Sequence, residues 1–208
     1  KEYEFINDSK ESIKKSVTEI TKNFNPENDG YELPLYDKIL LANEFRKANF
    51  ILEKKEFKPT DIGTIIHKVF QGLTYKNYDE NLLDEEFSRL IKENKIKKEE
   101  LKVIEKDKII KYFSNPYIKY LYENAQAIRK EESFLMKYED YFVNGQIDLI
   151  FEFKDYAVVL DFKTDRKIRQ GFYDKQLAIY KRAIEESLKK KVSKSLIYWY
   201  NFGQIEEI

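Results

Sequence analysis

The sequence predicts an α/β fold: a small mixed β-sheet flanked by helices, with a further helical region before it. Three patterns carry that prediction. Apolar residues recur at helical spacing as far as about Ala127. The segments 131–138, 146–153 and 156–163 then alternate with a period of two, as strands do. Last, an amphipathic helix from Tyr173 to Lys190 leads into an aromatic strand from Ser195 to Asn201. Helices, three strands, a helix and a strand form a layered α/β core.

The elements follow in order. Asp8 and Glu11 have capping-box spacing, and Ile13, Val17, Ile20 and Phe24 then share one helical face. Asn25 to Gly30 reads as a loop, and a second helix is expected from about Tyr36 to Lys55. Pro59-Thr60-Asp61 supplies a stop and a new N-cap. The next helix carries Ile66, Val69, Phe70 and Leu73 toward the core. Two more helices are expected near 79–94 and 98–113, and Asn115-Pro116 starts another that reaches about Ala127. The long helix after the strands places Tyr173, Leu177, Tyr180, Ile184 and Leu188 on one stripe. The expected division is 1–58 as a helical N-terminal extension and 59–208 as the core.

Composition narrows the chemistry. With 42% hydrophobic residues, the 208-residue chain can bury a core. No apolar run approaches the ~18–20 residues needed to span a bilayer, and no secretory signal pattern opens the chain. It starts on Lys1 rather than Met, which suggests a piece of something longer. Without cysteine, thiolate zinc sites, iron–sulfur clusters and a Cys nucleophile are excluded. With one histidine, His67, a multi-His zinc site is excluded too. Any metal must be held mainly by carboxylate oxygen, which favours Mg²⁺ or Mn²⁺. Acidic and basic residues balance at 38 each. Their distribution does not: residues 163–194 hold eleven Lys/Arg against four Asp/Glu. That segment reads either as a phosphate footprint or as a solvated helix face. No P-loop is present, so helicase chemistry does not reside here.

The hairpin from Gln146 to Lys163 carries the chemical signal. Ile147, Leu149, Phe151 and Phe153 are expected on one face, opposite Asp148. In the second strand, Asp161 and Lys163 share a face. A two-residue turn at Lys154-Asp155 puts Asp148 across from Asp161, and Gln146 across from Lys163. Cβ atoms of such pairs lie about 4.5–5.5 Å apart, and like charges so placed repel. One carboxyl is protonated, a cation bridges the two, or Lys163 neutralises them; the bland alternative is an exposed, solvated pair. The strand 131–138 joins through a turn at Glu139-Asp140, which brings Glu131 opposite Asp148. The competing turn is Asn144-Gly145. Gly145 is preferred inside the strand, where its missing side chain leaves room beside Asp148 for a ligand backbone. His67 lies beside the core stripe of its helix, one turn after Gly63. Gln176 and Tyr180 are also one turn apart.

These residues resemble a family. Gly63-x-x-x-His67, Gly145-x-x-Asp148, Asp161-x-Lys163-Thr164 and Gln176-Leu177-x-x-Tyr180 match, in order, the motifs of RecB-type nucleases of the PD-(D/E)xK superfamily. The strings Leu160–Arg166 and Gly63–Gln71 look most like the C-terminal nuclease domain of AddA-type helicase–nucleases. The resemblance covers roughly Pro59 to Tyr200. It implies a restriction-endonuclease-like core. It also implies Mg²⁺ or Mn²⁺ held by His67, Asp148, Asp161 and the Phe162 carbonyl, with Glu131 matching an upstream family Glu. Lys163 would activate water or stabilise phosphorane charge, and Gln176 and Tyr180 would position DNA and Lys163. The name-giving Pro is Ile147 here, and the Cys cluster of AddB-type and Cas4-type relatives is absent. Arg166, Lys167 and Arg169 would grip the DNA backbone. The implied whole is a cytoplasmic, nucleoid-associated helicase–nuclease in double-strand-break repair. Its nuclease would cut DNA, chiefly single-stranded ends. The helicase would lie in the same full-length chain, an AddB-type protein would be its partner, and no membrane would be involved. The alternative is a catalytically silent nuclease-fold module that binds DNA or a partner.

Overall fold

The computed structural model describes residues 14–22 and 57–208. Among them, strand β1 (Lys14–Ser16) runs into helix α1 (Val17–Lys22). Helices α2 (Pro59–Gly72) and α3 (Glu80–Lys92) follow, then a 3₁₀ turn (Lys98–Val103), α4 (Lys106–Ser114) and α5 (Pro116–Asn124). Strands β2 (Ala127–Tyr138), β3 (Tyr141–Glu152) and β4 (Tyr156–Lys163) come next. Helix α6 (Asp174–Leu188) then crosses to β5 (Lys191–Trp199), and β6 (Gln204–Glu207) closes the order.

Six strands make one mixed sheet. β2 runs antiparallel along β3, from Ala127 against Glu152 to Tyr138 against Tyr141. The other edge of β3 is shared. β1 pairs with Phe142–Asn144 in parallel, and β4 pairs with Leu149–Glu152 antiparallel. β5 extends the sheet parallel to β4, and β6 pairs antiparallel with β5. Both faces are covered. Ile66, Val69, Phe70 and Tyr112 from the N-terminal helices pack on Leu149, Phe151, Leu160, Phe162 and Tyr198. On the other face, Leu177, Tyr180 and Ile184 of α6 and Val17 of α1 pack on Val143, Ile150, Val159 and Trp199.

Both expected hairpin turns occur. Phe153 N donates to the Tyr156 carbonyl at 2.8 Å across Lys154-Asp155, and the β2–β3 turn falls at Glu139-Asp140, so Gly145 lies within β3. The expected reason for Gly145 does not hold, however. A Cβ there would come within 2.8 Å of the Phe134 ring and of Val17, so the bare backbone accommodates packing rather than a ligand.

Other expectations are corrected. Ile147 packs with Val143 and Ile150, on the opposite face from Leu149 and Phe151, so the alternation switches at Asp148. Residues 14–16 form a strand, and the box that caps the following helix is Ser16/Glu19. Ser16 N donates to Glu19 at 2.6 Å, and Glu19 N donates back to Ser16 at 3.2 Å. Asp8, Glu11, Ile13 and Phe24 lie outside the described residues, as do the loop at 25–30 and the helix at 36–55. α2 starts at Pro59 itself, where a missing N–H costs nothing, and Asp61 accepts from Lys58 N at 3.1 Å.

The expected helix at 98–113 is broken. The Tyr200 hydroxyl accepts from Glu105 N at 2.8 Å and donates to the Glu105 carbonyl at 3.2 Å, a tertiary grip at the break. α5 ends before Ala127 because Gln126 N is taken by the Glu152 carbonyl at 2.8 Å, which opens the β2–β3 ladder early. The last strand starts and ends earlier than expected. It turns at Gly203, whose φ of 58° suits a tight reversal, into the unexpected β6.

A candidate metal and phosphate site

The site forms where the sheet comes apart. The β3–β4 ladder stops at Leu149–Leu160. Beyond it, Asp148 Oδ2 accepts the Phe162 backbone N–H at 2.7 Å, so a carboxylate takes the place of a main-chain carbonyl. The expected pairing of Gln146 with Lys163 does not form. Two buried carboxylates repel, and letting the strands part relieves them.

Asp148 and Asp161 are 8% and 2% exposed, which removes the reading of a solvated surface pair. Each has its own basic partner. His67 Nδ1 lies 3.2 Å from Asp148 Oδ1. Lys163 Nζ lies 2.5 Å from Asp161 Oδ2, so the buried carboxylate is held in a close ion pair with the ammonium. Glu131 completes the cluster. One ligand atom each from His67, Glu131 and Asp148 lies within 4.8 Å of the others. Asp161 is outside that trio but close enough for its charge to act on Glu131.

The electrostatics follow from burial and crowding. Burial, then the Asp148 charge, pushes the Glu131 carboxyl up to about 7. Burial pushes Asp161 up to about 6, with Asp148 adding and Lys163 opposing. For Asp148, burial is outweighed by His67, Lys163 and the Phe162 amide, so it stays below the usual carboxylate range. Burial likewise works against the Lys163 ammonium, but Asp161, Tyr173, Tyr180 and Asp148 outweigh it and hold Lys163 charged.

This is a hard donor set, one imidazole with carboxylates, and it suits Mg²⁺ or Mn²⁺. The convergence of His67, Glu131 and Asp148, and the mutual repulsion of Glu131, Asp148 and Asp161, fit a divalent cation. The chemistry open to such a set is hydrolysis at an anionic centre, with Lys163 as a fixed positive charge beside it.

The other expected residues are placed as follows. Gln176 Nε2 donates to the Tyr180 hydroxyl at 2.7 Å, and Tyr180 lies in the field of Asp161 and Lys163. Arg166 and Lys167 are exposed on the loop after β4. Arg169 is half-buried, 3.9 Å from Asp165 and 5.0 Å from the Phe172 ring. The basic segment is not one footprint. β4 and β5 run parallel, so Lys190, Lys191 and Lys194 lie toward the far end, about 17 Å (Lys194) to about 25 Å (Lys190) from Lys163. There Lys190 pairs with Glu152 at 2.7 Å and Lys194 with Glu207 at 2.6 Å.

Sequence reasoning missed two residues. Tyr173, expected only to pack its helix, lies under Lys163 Nζ, 4.4 Å from its ring centre, and donates to Asp165 at 2.8 Å. Lys130 is the other. Its ammonium donates to the carbonyls of Phe70 (3.0 Å), Gln71 (3.2 Å) and Leu73 at the C-terminus of the His67 helix. A Lys next to the candidate ligand Glu131 was the only available signal for it.

The sequence profile of the PD-(D/E)XK nuclease superfamily matches residues 40–205. Among curated proteins, the chain is 30% identical over 221 residues to the A component of the ATP-dependent helicase/nuclease of Clostridium botulinum strain Okra, covering 96% of this chain and 17% of that one. It is 27% identical over 223 residues to the protein of the same name from Bacillus mycoides, covering 94% and 18%. The chain thus spans less than a fifth of these relatives. A solved Eubacterium rectale protein, provisionally described as an exonuclease, aligns at a TM-score of 0.46 and 12% identity, over 93% of this chain and 71% of that one.

Proposed function

Because the chain belongs to the PD-(D/E)XK nuclease superfamily, we propose that it is a Mg²⁺- or Mn²⁺-dependent deoxyribonuclease domain, an exonuclease or endonuclease acting on DNA ends. The observation that carries this reading is the convergence of partly exposed His67 and Glu131 on buried Asp148, with the Asp161–Lys163 pair beside it.

His67, Glu131, Asp148, Asp161 and the Phe162 carbonyl are the proposed metal ligands. A bound divalent ion supplies Lewis acidity at the scissile phosphate and lowers the pKa of a nearby water. In the hydrolysis, a water oxygen bonds to phosphorus, the bond to the leaving sugar oxygen breaks, and a proton lost by the water is matched, through solvent, by one taken up on the sugar oxygen to give its hydroxyl. Lys163, held protonated by its anionic surroundings, places positive charge where the phosphoryl oxygens become more negative. Tyr173 below and Asp161 beside it restrict where that ammonium can go. Gln176 and Tyr180 hold each other in position toward the strand being cut. Arg166, Lys167 and Arg169 hold the DNA backbone without reading its sequence.

At the level of the whole protein, the proposal is the nuclease part of a cytoplasmic, nucleoid-associated helicase–nuclease in double-strand-break repair. Its helicase would lie elsewhere in the full-length chain, with an AddB-type partner. The names of the relatives support the helicase–nuclease part of this reading. Among the described residues, no helix is long and apolar enough to cross a membrane. Residues 59–208 are proposed as the nuclease core, to which β1 and α1 add a strand and a helix.

The test is cleavage of end-labelled single-stranded DNA with Mg²⁺ or Mn²⁺. Asp161→Ala is expected to lower the rate at least about 100-fold, roughly 2.7 kcal/mol of barrier. Cutting by Asp161→Ala at the wild-type rate would falsify the assignment.

A further inference from the structure

We propose that the notch in the sheet between β1 and β4 seats one unpaired nucleobase of the strand being cut, beside the metal cluster. The inference rests on the nuclease reading and goes beyond it, because it names a site that selects single-stranded substrate.

The notch arises from topology. β1 ends against Asn144 and β4 begins against Leu149, both on the same edge of β3, so residues 145–148 pair with neither strand. A cavity of about 300 Å³ opens there, at the lower end of the ~300–1,000 Å³ of small-ligand pockets. Its walls suit a base. The 60%-exposed Leu135 offers apolar surface for a ring face, on the side of the sheet away from Phe134 and Tyr180. Asn144 and Gln146 each carry a donor and an acceptor, which meet base edges without requiring one particular base. Lys14, also in the lining, supplies positive charge for the backbone.

The notch is continuous with the site. Tyr180 lines it while receiving Gln176. Gln146 lines it while donating to the Glu131 carbonyl at 3.1 Å, and lies two strand residues, roughly 7 Å, from Asp148. A nucleotide seated here therefore adjoins the nucleotide at the cluster. A base within a duplex is stacked on both faces and paired on its edge. Leaving that stack costs a few kcal/mol, whereas an unpaired base enters without that cost.

The experiment walks one abasic nucleotide along a labelled single-stranded oligonucleotide, with the full chain and Mg²⁺. In wild type, one position near the cut is expected to raise KM about tenfold with kcat within twofold. In Leu135→Ala, KM for the intact oligonucleotide is expected to rise severalfold, and the abasic position is expected to add nothing further. A flat abasic walk, or the same position-specific effect in wild type and Leu135→Ala, overturns the notch assignment. If Asp161→Ala is inactive in the same assay, that failure belongs to the notch alone. If Asp161→Ala cuts normally, the nuclease reading fails and the notch proposal with it.

Discussion

Glu131 occupies a strained position. Four described non-glycine residues have positive φ, and three of them end helices or turn a hairpin. Glu131, at 52°, lies inside β2, where the ladder runs in register on both sides of it. That conformation costs about 1–2 kcal/mol, and strain of this kind is retained where a side chain must be aimed. The burden is also electrostatic, and its sign can be worked out. The folded-state values of Glu131 (about 7) and Asp161 (about 6) are raised above their ordinary values of 4.5 and 3.8. The folded protein therefore holds protons that the unfolded chain has released. Their stabilising contribution is complete below about pH 4 and is lost as pH rises through about 6 to 7. Asp148 is shifted the other way, and its contribution fades only at more acid pH. Without metal, Tm is expected to fall between pH 5 and pH 8, and Mn²⁺ at pH 8 to restore it. Glu131→Gln should show a smaller fall and a smaller Mn²⁺ response. A thermal melt that is flat across this range, and equal for both proteins, would refute the account.

At the scale of elements, the site depends on how helix α2 is fastened to strand β2. α2 carries His67, β2 carries Glu131, and Lys130 joins them by donating to three carbonyls at the end of α2. Those carbonyls have no partner within the helix, and a cation there also opposes the negative end of the helix dipole. Burial pulls the Lys130 ammonium down to about 8. Lys130→Met keeps the length of the chain and removes the donors. It should destabilise by about 1–3 kcal/mol, read as a lower urea midpoint at an unchanged m-value. Divalent-ion affinity, measured by calorimetry on the folded variant, should fall as His67 and Glu131 lose their common anchor. Unchanged affinity would show that Lys130 stabilises the fold without positioning the ligands.

At the scale of the whole molecule, the parallel β4–α6–β5 crossover sorts the basic segment. Arg166 and Lys167 follow Lys163, and Lys194 lies toward the other end of the sheet, about 17 Å from Lys163. Single-strand binding should therefore lose about 0.7 from its log–log salt slope on Arg166→Ala and nothing on Lys194→Ala. Equal losses at both ends would mean that DNA runs the length of the crossover. The sequence alone determined the α/β class, both hairpin turns, the burial of His67's helix and the ligand types available. Local rules decide these: period-two alternation sets the turns at Lys154-Asp155 and Glu139-Asp140 against the competing dipeptide Asn144-Gly145, and the absence of Cys and of other His sets the ligands. Only the tertiary structure decided that the β3–β4 ladder ends before Asp148, that His67, Glu131 and Asp148 converge with the Asp161–Lys163 pair beside them, and that Lys130 and Tyr173 pack against the site. It also decided that β1 shares an edge of β3 with β4. These features result from repulsion between buried carboxylates and from contacts between residues far apart in the chain. A pattern read along the chain does not register such forces, because their strength depends on distances that exist only once both faces of the sheet are packed.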